Sequence, residues 1–288
     1  MTPRLNAVTV RRRVTDLVLP ARVKRALLRA ARRHGGWGVS RADRAVLAAN
    51  ARLQGAYAGR RCFVMGNGPS LAGVDLRPLT GEVTVVMNAY NRHPAIREWQ
   101  PTIHCMAEPA TAWSSPESLQ VLDSFLGGYT STIHVFPIGM KQVFDRTGSP
   151  PPDRLAYFFQ DGRRAADFDC IDLTGPIPSP HDTSILAVSV AIAMGCNPIV
   201  LLGVDYNWLG HRSVNPHFYD DAAVPWPAEE LSKYSYLELL KSAVLCWDAH
   251  TELRRIAQSQ GQTILNATEG TFLDAYPATT LGEVLAGP

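Results

Sequence analysis

The sharpest chemical signal in the sequence is Gly66-Asn67-Gly68-Pro69-Ser70-Leu71, which directly follows the apolar stretch Cys62 to Met65. Two glycines let a backbone turn tightly and approach a ligand closely, and a helical turn after them would offer unpaired N–H groups to a phosphate. The run is neither GxGxxG nor a Walker A loop, since no Lys follows, and an ordinary strand-to-helix turn is the alternative. A second apolar stretch ends at Asn88, whose amide could read a base or a sugar hydroxyl, or simply form a turn. Further on, His181-Asp182-Thr183-Ser184 leads into an apolar helix. Thr183 and Ser184 could hold a phosphate or carboxylate there, and capping by Asp182 or Thr183 is compatible with that role.

Candidates for proton transfer come later in the chain. Gly203-Val204-Asp205-Tyr206 ends a fourth apolar stretch with an acid and a phenol, and Asp205 could bind a sugar hydroxyl, a divalent ion or a structural Arg. Asn215-Pro216-His217-Phe218-Tyr219-Asp220 then collects an imidazole, a phenol and a carboxylate. His217 is the first choice for a general base, because its free pKa lies near neutrality, and His211 is its nearest competitor. His250 shares helical spacing with Ala243, Cys246, Leu253 and Ala257, which reads as a core histidine. Asp167-Phe168-Asp169 matches a metal-holding DxD triplet in form, yet no strongly apolar strand precedes it. No Gly-x-Ser-x-Gly elbow, HExxH helix, EF-hand loop or kinase signature is present, so hydrolase and metalloprotease readings lose their usual support.

These residues need a scaffold, and the spacing supplies one. From Arg60 onward, short apolar runs ending in Gly, Asn or Asp alternate with helix-compatible stretches, the pattern of βαβ units. Strands are expected at Cys62 to Met65, Val83 to Met87, Thr102 to Met106, Thr132 to Phe136, Ile199 to Leu202 and Thr263 to Leu265. Helices are expected at Asp182 to Met194 and Tyr236 to Gln258, and the proline-rich segment Gly148 to Pro180 as an excursion over the sheet or a small lid. The fold class is therefore α/β: a Rossmann-like, mostly parallel sheet with helices on both faces.

The 288 residues are 46% hydrophobic and 19% charged, enough for a full core, which excludes disorder and coiled coil as overall descriptions. The five cysteines form no CxxC pair, which points to buried thiols. The apolar run Ile185 to Met194 is about half of the ~20 residues a membrane span needs, so a buried helix is expected. Charge is lopsided: residues 1–61 hold 15 Lys and Arg against two acids, while the chain as a whole is only +2. Val18 to His34 reads as a basic amphipathic helix, suited either to an anionic membrane surface or to packing on its own domain. We therefore expect a basic helical extension over 1–59 and an α/β domain over 60–288, whose polar strand ends are the catalytic candidates. No secretory leader is legible and no nucleic-acid motif is found, so a cytoplasmic protein, peripheral at the inner face of the membrane, is expected.

Gly66 to Leu71, Asn88, the helix from Thr183 to Gly195 and the strand into Gly203-Val204-Asp205 together resemble two related families. One is the 6-hydroxymethylpterin pyrophosphokinase MptE-like family; the other is the bacterial sialyltransferases of glycosyltransferase family 42. Pro216-His217-Phe218-Tyr219 and Ile264-Leu265-Asn266-Ala267-Thr268 extend the likeness to about Arg60–Pro277. The resemblance implies a glycosyltransferase that moves a sialic-acid-like nonulosonate or Kdo from a CMP-activated donor to a bacterial surface glycan, as in lipopolysaccharide or capsule biosynthesis. It implies Asn67, Asn88, Thr183 and Ser184 as donor contacts, Tyr206 and Tyr219 on the departing phosphate, and no obligatory cofactor or metal, with Mg2+ optional. The family's own base finds no His at its position, so His217 is taken for that role, and Asp205 joins it among the catalytic candidates; the resemblance also implies a GT-A-like variant of the fold. A glycan or glycolipid acceptor and a homo-oligomer are further expectations. A pyrophosphokinase passing diphosphate from ATP to a pterin alcohol, and a non-catalytic nucleotide-sugar binding protein, are the alternatives.

Overall fold

Short runs of β-branched and aromatic residues, too brief for helices and flanked by glycine or proline, become strands here. The computed structural model describes residues 39–148, 150–207, 210, 217–219 and 235–287. The helix expected at Val18 to His34, together with His211, Asn215, Pro216 and Asp220, lies outside the described residues. Among those described, α1 (Arg41–Ala48) precedes β1 (Cys62–Met65), β2 (Val83–Met87), β3 (Ile103–Cys105) and α2 (Pro116–Leu126). Then come β4 (Ile133–Pro137), α3 (Lys141–Thr147), β5 (Leu155–Gln160), β6 (Pro176–Ile177) and α4 (Thr183–Ala193). β7 (Ile199–Leu202), α5 (Tyr236–Ser259), β8 (Ile264–Asn266) and α6 (Leu281–Ala286) complete the described order.

The eight strands form one parallel sheet in the order β6-β5-β4-β3-β2-β1-β7-β8. The Rossmann-like α/β class read from the sequence is the class observed. One expectation is corrected. Gly148 to Pro180 is not an excursion or lid, because it contributes β5 and β6 to the sheet edge. Prolines on both flanks mask Leu155 to Phe159, and Pro176 is tolerated because β6 is the outermost strand, where a missing N–H costs no ladder bond. Four of the five thiols are buried as expected, whereas Cys170 is exposed.

After β6 the chain must travel from that edge to the far side of β1, and α4 makes the crossing. It packs across β1, β2, β3 and β7 on one side and against α5 on the other. All eleven of its residues are buried, which explains a helix with no charged side chain and only Thr183, Ser184 and Ser189 as polar ones. Each fully buried side chain among Ile185, Leu186, Val188, Val190 and Ile192 contributes at most ~1.5–3 kcal/mol. The opposite face of the sheet, with Phe63, Met65, Val86, Val200 and Leu202, is covered by the turns that follow β1 and β2 and by Val284 of α6.

Residues 39–59 join the same body. Leu47 and Leu53 are buried, and the buried Asn50 amide donates to the carbonyls of Tyr157 and Leu173. The amides of Gly55 and Tyr57 donate to the carbonyls of Ala193 and Met194, each at 2.9 Å. Among the described residues no helix is long and apolar enough to cross a membrane.

Candidate functional site

Strand order reverses direction of growth at β1, whose neighbours are β2 on one side and β7 on the other. In open parallel sheets the crevice at such a switch point, beyond the carboxyl ends of the strands, is where ligands bind. The loops leaving β1 and β7 meet there. Gly68 donates its amide to the Gly203 carbonyl at 2.8 Å. A Cβ on Gly66 would lie 2.2 Å from that carbonyl oxygen, and one on Gly68 would lie 1.8 Å from Asp205 Oδ2. Both glycines therefore serve the seam between two loops, an interaction partner the sequence did not reveal.

Ser70 and Asp205 close the same seam. Asp205 is buried; it accepts the Ser70 amide at 3.1 Å and the Ser70 hydroxyl at 2.8 Å. Burial raises the Asp205 pKa while these two bonds oppose the rise. Asn67, on the other side of the loop, donates from its side-chain amide to the Met87 carbonyl at 3.0 Å. Its own carbonyl accepts the Phe218 amide at 2.8 Å, which lays residues 217–219 over the β1 and β2 loops. There the His217 ring stacks on Tyr219 with centroids 4.9 Å apart, Phe218 meets His93 edge-on at 5.2 Å, and the Arg92 guanidinium stands over the Tyr219 ring at 5.6 Å.

At the end of β7 a second cluster forms around Asp182, the N-cap of α4. Its carboxylate accepts the Ile185 amide at 3.0 Å, the Ser184 hydroxyl at 2.6 Å and the Tyr206 hydroxyl. With both hydroxyl protons directed at Asp182, the two oxygens are left as acceptors toward His250 Nε2, at 3.0 Å from Ser184 and 3.3 Å from Tyr206. Nε2 then carries the proton, and Nδ1 accepts the Tyr276 hydroxyl at 2.8 Å. His250 is fully enclosed, and burial pushes its pKa down to about 4 against the pull of Asp182. The helical-spacing reading of His250 as a core residue agrees with its burial, but its bonds to Ser184 and Tyr206 were not legible. Thr183 is buried at the same helix end.

Along β1, β2 and β3 the strand ends differ in kind. Asn67 Oδ1, Asn88 Oδ1 and Glu108 Oε2 are each enclosed with no hydrogen-bond partner in the protein, and Asn207 Oδ1 repeats this after β7. Buried acceptors in that condition are costly, so four of them at adjacent strand ends need a reason. Glu108 was missed in the sequence because nothing in Ala107-Glu108-Pro109 announces a site. Burial raises its pKa, opposed by backbone N–H groups of Ala107 and Glu108. Among the described residues two non-glycines, Asn88 and Tyr206, have left-handed backbones, with φ of 47° and 52°. Such conformations cost about 1 kcal/mol or more and collect at functional sites.

Asp167, of the DxD-like triplet, turns its carboxylate back onto the Arg164 amide at 3.2 Å. Among the described residues no group of three or more His, Cys, Asp or Glu is arranged to hold a metal ion.

No family model matches the chain, and no curated protein does. Several solved structures align with this chain at low similarity. The Maf glycosyltransferase of Magnetospirillum magneticum AMB-1 aligns over 81% of this chain at 14% identity and a TM-score of 0.44, but the aligned part is only 38% of that protein. The sialyltransferase CstII of Campylobacter jejuni, solved with CMP-3FNeuAc, aligns over 80% of this chain and 89% of its own at 14% identity and a TM-score of 0.44. For the α-2,3-sialyltransferase Cst-I of the same organism the figures are 76%, 80%, 11% and 0.44.

Proposed function

We propose that the crevice between the β1 and β7 loops binds a CMP-activated sugar and that the chain is a glycosyltransferase of sialyltransferase-like type. The observation that carries this reading is the row of unpartnered, enclosed acceptors on Asn67, Asn88 and Glu108. A cytidine nucleotide brings the complementary groups, an exocyclic amine and a ribose diol, all hydrogen-bond donors. The motif resemblance supports the same assignment at Gly66, Asn67, Gly68, Ser70 and Asn88.

In the reaction proposed, an acceptor hydroxyl attacks the anomeric carbon while the bond from that carbon to the phosphate oxygen breaks, and CMP departs with the bonding pair. His217, stacked on Tyr219, takes the hydroxyl proton, and the Tyr219 hydroxyl, on a ring overlain by the Arg92 guanidinium, steadies the departing phosphate. Asp205 holds the β1 loop through Ser70. Thr183, Ser184 and Tyr206 stand on the other flank, where Ser184 and Tyr206 are tied to Asp182. The acceptor is a glycan or glycolipid of the bacterial surface, met at the inner membrane face through residues 1–59, and the enzyme acts as a homo-oligomer.

A thermal-shift panel of CMP, CDP, UDP, GDP, ADP and ATP, with and without Mg2+, tests the reading. A ligand at 100 times its Kd adds about 2.7 kcal/mol to stability, so binding must raise Tm. Selective stabilisation by CMP without metal is expected, followed by turnover of a CMP-sugar that is lost in His217→Ala. Stabilisation by ATP with Mg2+ alone would overturn the reading in favour of the pyrophosphokinase. CMP binding without transfer of any CMP-sugar would leave a binding protein.

A further inference from the structure

Parallel pairing of β3 and β4 sets His104 directly opposite His134. Their neighbours Ile103, Cys105, Ile133 and Val135 belong to the core under α4, so both imidazoles point to the other face, and both are buried. The two Nδ1 atoms lie 3.0 Å apart, and His104 Nε2 lies 2.8 Å from the Asn88 carbonyl oxygen. A carbonyl only accepts, so His104 Nε2 carries a proton. Burial keeps both rings neutral near neutral pH, lowering the His104 pKa to about 4 and that of His134 to about 2, with the Arg154 charge also acting on His134. A neutral imidazole has a single N–H, so His104 Nδ1 is bare and the proton between the rings belongs to His134. The Tyr129 ring stacks on His104 at 4.9 Å, and Phe136 meets it edge-on at 6.4 Å, which fixes the ring plane.

The result is a directional chain. His134 Nδ1–H donates to His104 Nδ1, and His104 Nε2–H donates to the carbonyl of Asn88, a residue with positive φ and an enclosed, unpartnered Oδ1. We propose that His104 and His134 are positioning residues that hold Asn88 in its left-handed conformation and so aim its side-chain oxygen at the ligand. The second half of this statement rests on the nucleotide-binding reading above; the first does not.

The test combines imidazole NMR with substitution. Long-range 1H–15N spectra should show His104 protonated at Nε2 and His134 at Nδ1, unchanged between about pH 8 and about pH 5. His104→Gln retains an N–H near the Nε2 position and His104→Phe does not. The backbone coupling that reports the φ of Asn88 should be native in His104→Gln and altered in His104→Phe. Calorimetric CMP affinity should fall roughly 10-fold in His104→Phe and stay within about 3-fold in His104→Gln. His134→Val and His134→Asn give the same contrast one bond further away if His104→Phe fails to fold. Reversed tautomers, titration of either ring in that pH range, or an unaltered Asn88 coupling in His104→Phe would overturn the proposal. So would equal loss of CMP affinity in the Gln and Phe variants. If the native protein binds no CMP, the nucleotide reading fails, and the tautomers and the Asn88 coupling still decide whether the histidines position Asn88.

Discussion

The two flanks of the β1–β7 crevice handle their polar groups in opposite ways. On the β7 and α4 side, Asp182, Ser184, Tyr206, His250 and Tyr276 satisfy one another in a closed chain of hydrogen bonds. On the side of β1, β2 and β3, the oxygens of Asn67, Asn88 and Glu108 are enclosed without partners, and on the β7 side Asn207 Oδ1, just beyond that network, shares this condition. A closed buried network rigidifies and specifies structure, whereas unpartnered buried acceptors lower stability in the free protein and gain when a donor arrives. The first flank is built to hold shape and the second to bind.

The largest effect should come from breaking the seam that joins them. Gly68→Ala would drive a methyl group into Asp205 Oδ2 and the Gly203 carbonyl, so a loss of about 3 kcal/mol or more is expected in denaturant unfolding. A Tm unchanged within error would mean that the loops separate easily and that the seam is not the frame of the site. Next, Asp182→Ala removes the N-cap of α4 and orphans two hydroxyls, with an expected cost of about 2–4 kcal/mol by the same measurement.

Acid should expose the contrast without mutation. His104 and His250, with folded pKa values near 4, and His134, near 2, bind fewer protons folded than unfolded, where the ordinary value is 6.5. Stability is therefore full above the unfolded pKa and is lost as pH falls from about 6.5 toward about 4, by roughly 2 kcal/mol per imidazole between pH 7 and pH 5. Asp205 and Glu108, with raised pKa values, act in the opposite sense at lower pH. A melting temperature that stays level from pH 7 to pH 5 would contradict the burial of these rings. The smallest change in stability belongs to the binding flank. Glu108→Gln removes an enclosed carboxylate and should leave stability unchanged or raise it by up to about 1 kcal/mol, while weakening CMP binding. Marked destabilisation would show that Glu108 has a structural role instead.

Much of the fold could be read in advance, because strand and helix periodicity are local properties of the chain. Cys62–Met65, Val83–Met87 and Ile199–Leu202 are strands with the boundaries expected, and the largely apolar run Ile185 to Met194 announced the buried helix observed as Thr183–Ala193. β5 was hidden because proline punctuation before it outweighs six strand-forming residues when pairing partners are unknown, and β6 because two residues, one of them Pro176, carry no strand signal. Asn67, Asn88, Asp205 and Tyr206 could be singled out because each ends an apolar run, and a parallel sheet brings such ends to one edge.

What the sequence determined alone was the α/β class, the main strands and the edge at which polar residues gather, since these depend on periodicity and on the types of residue that end each run. Only the tertiary structure decided which of those residues face each other. Ser70 and Asp205 are 135 positions apart and Ser184 and His250 are 66 apart, and no local pattern encodes such pairings. Nor could it show that Gly66 and Gly68 make room for another loop, or that His104 holds the backbone of Asn88, because both depend on strand order and register. Those are set when α4 returns the chain across the sheet and places β7 beside β1.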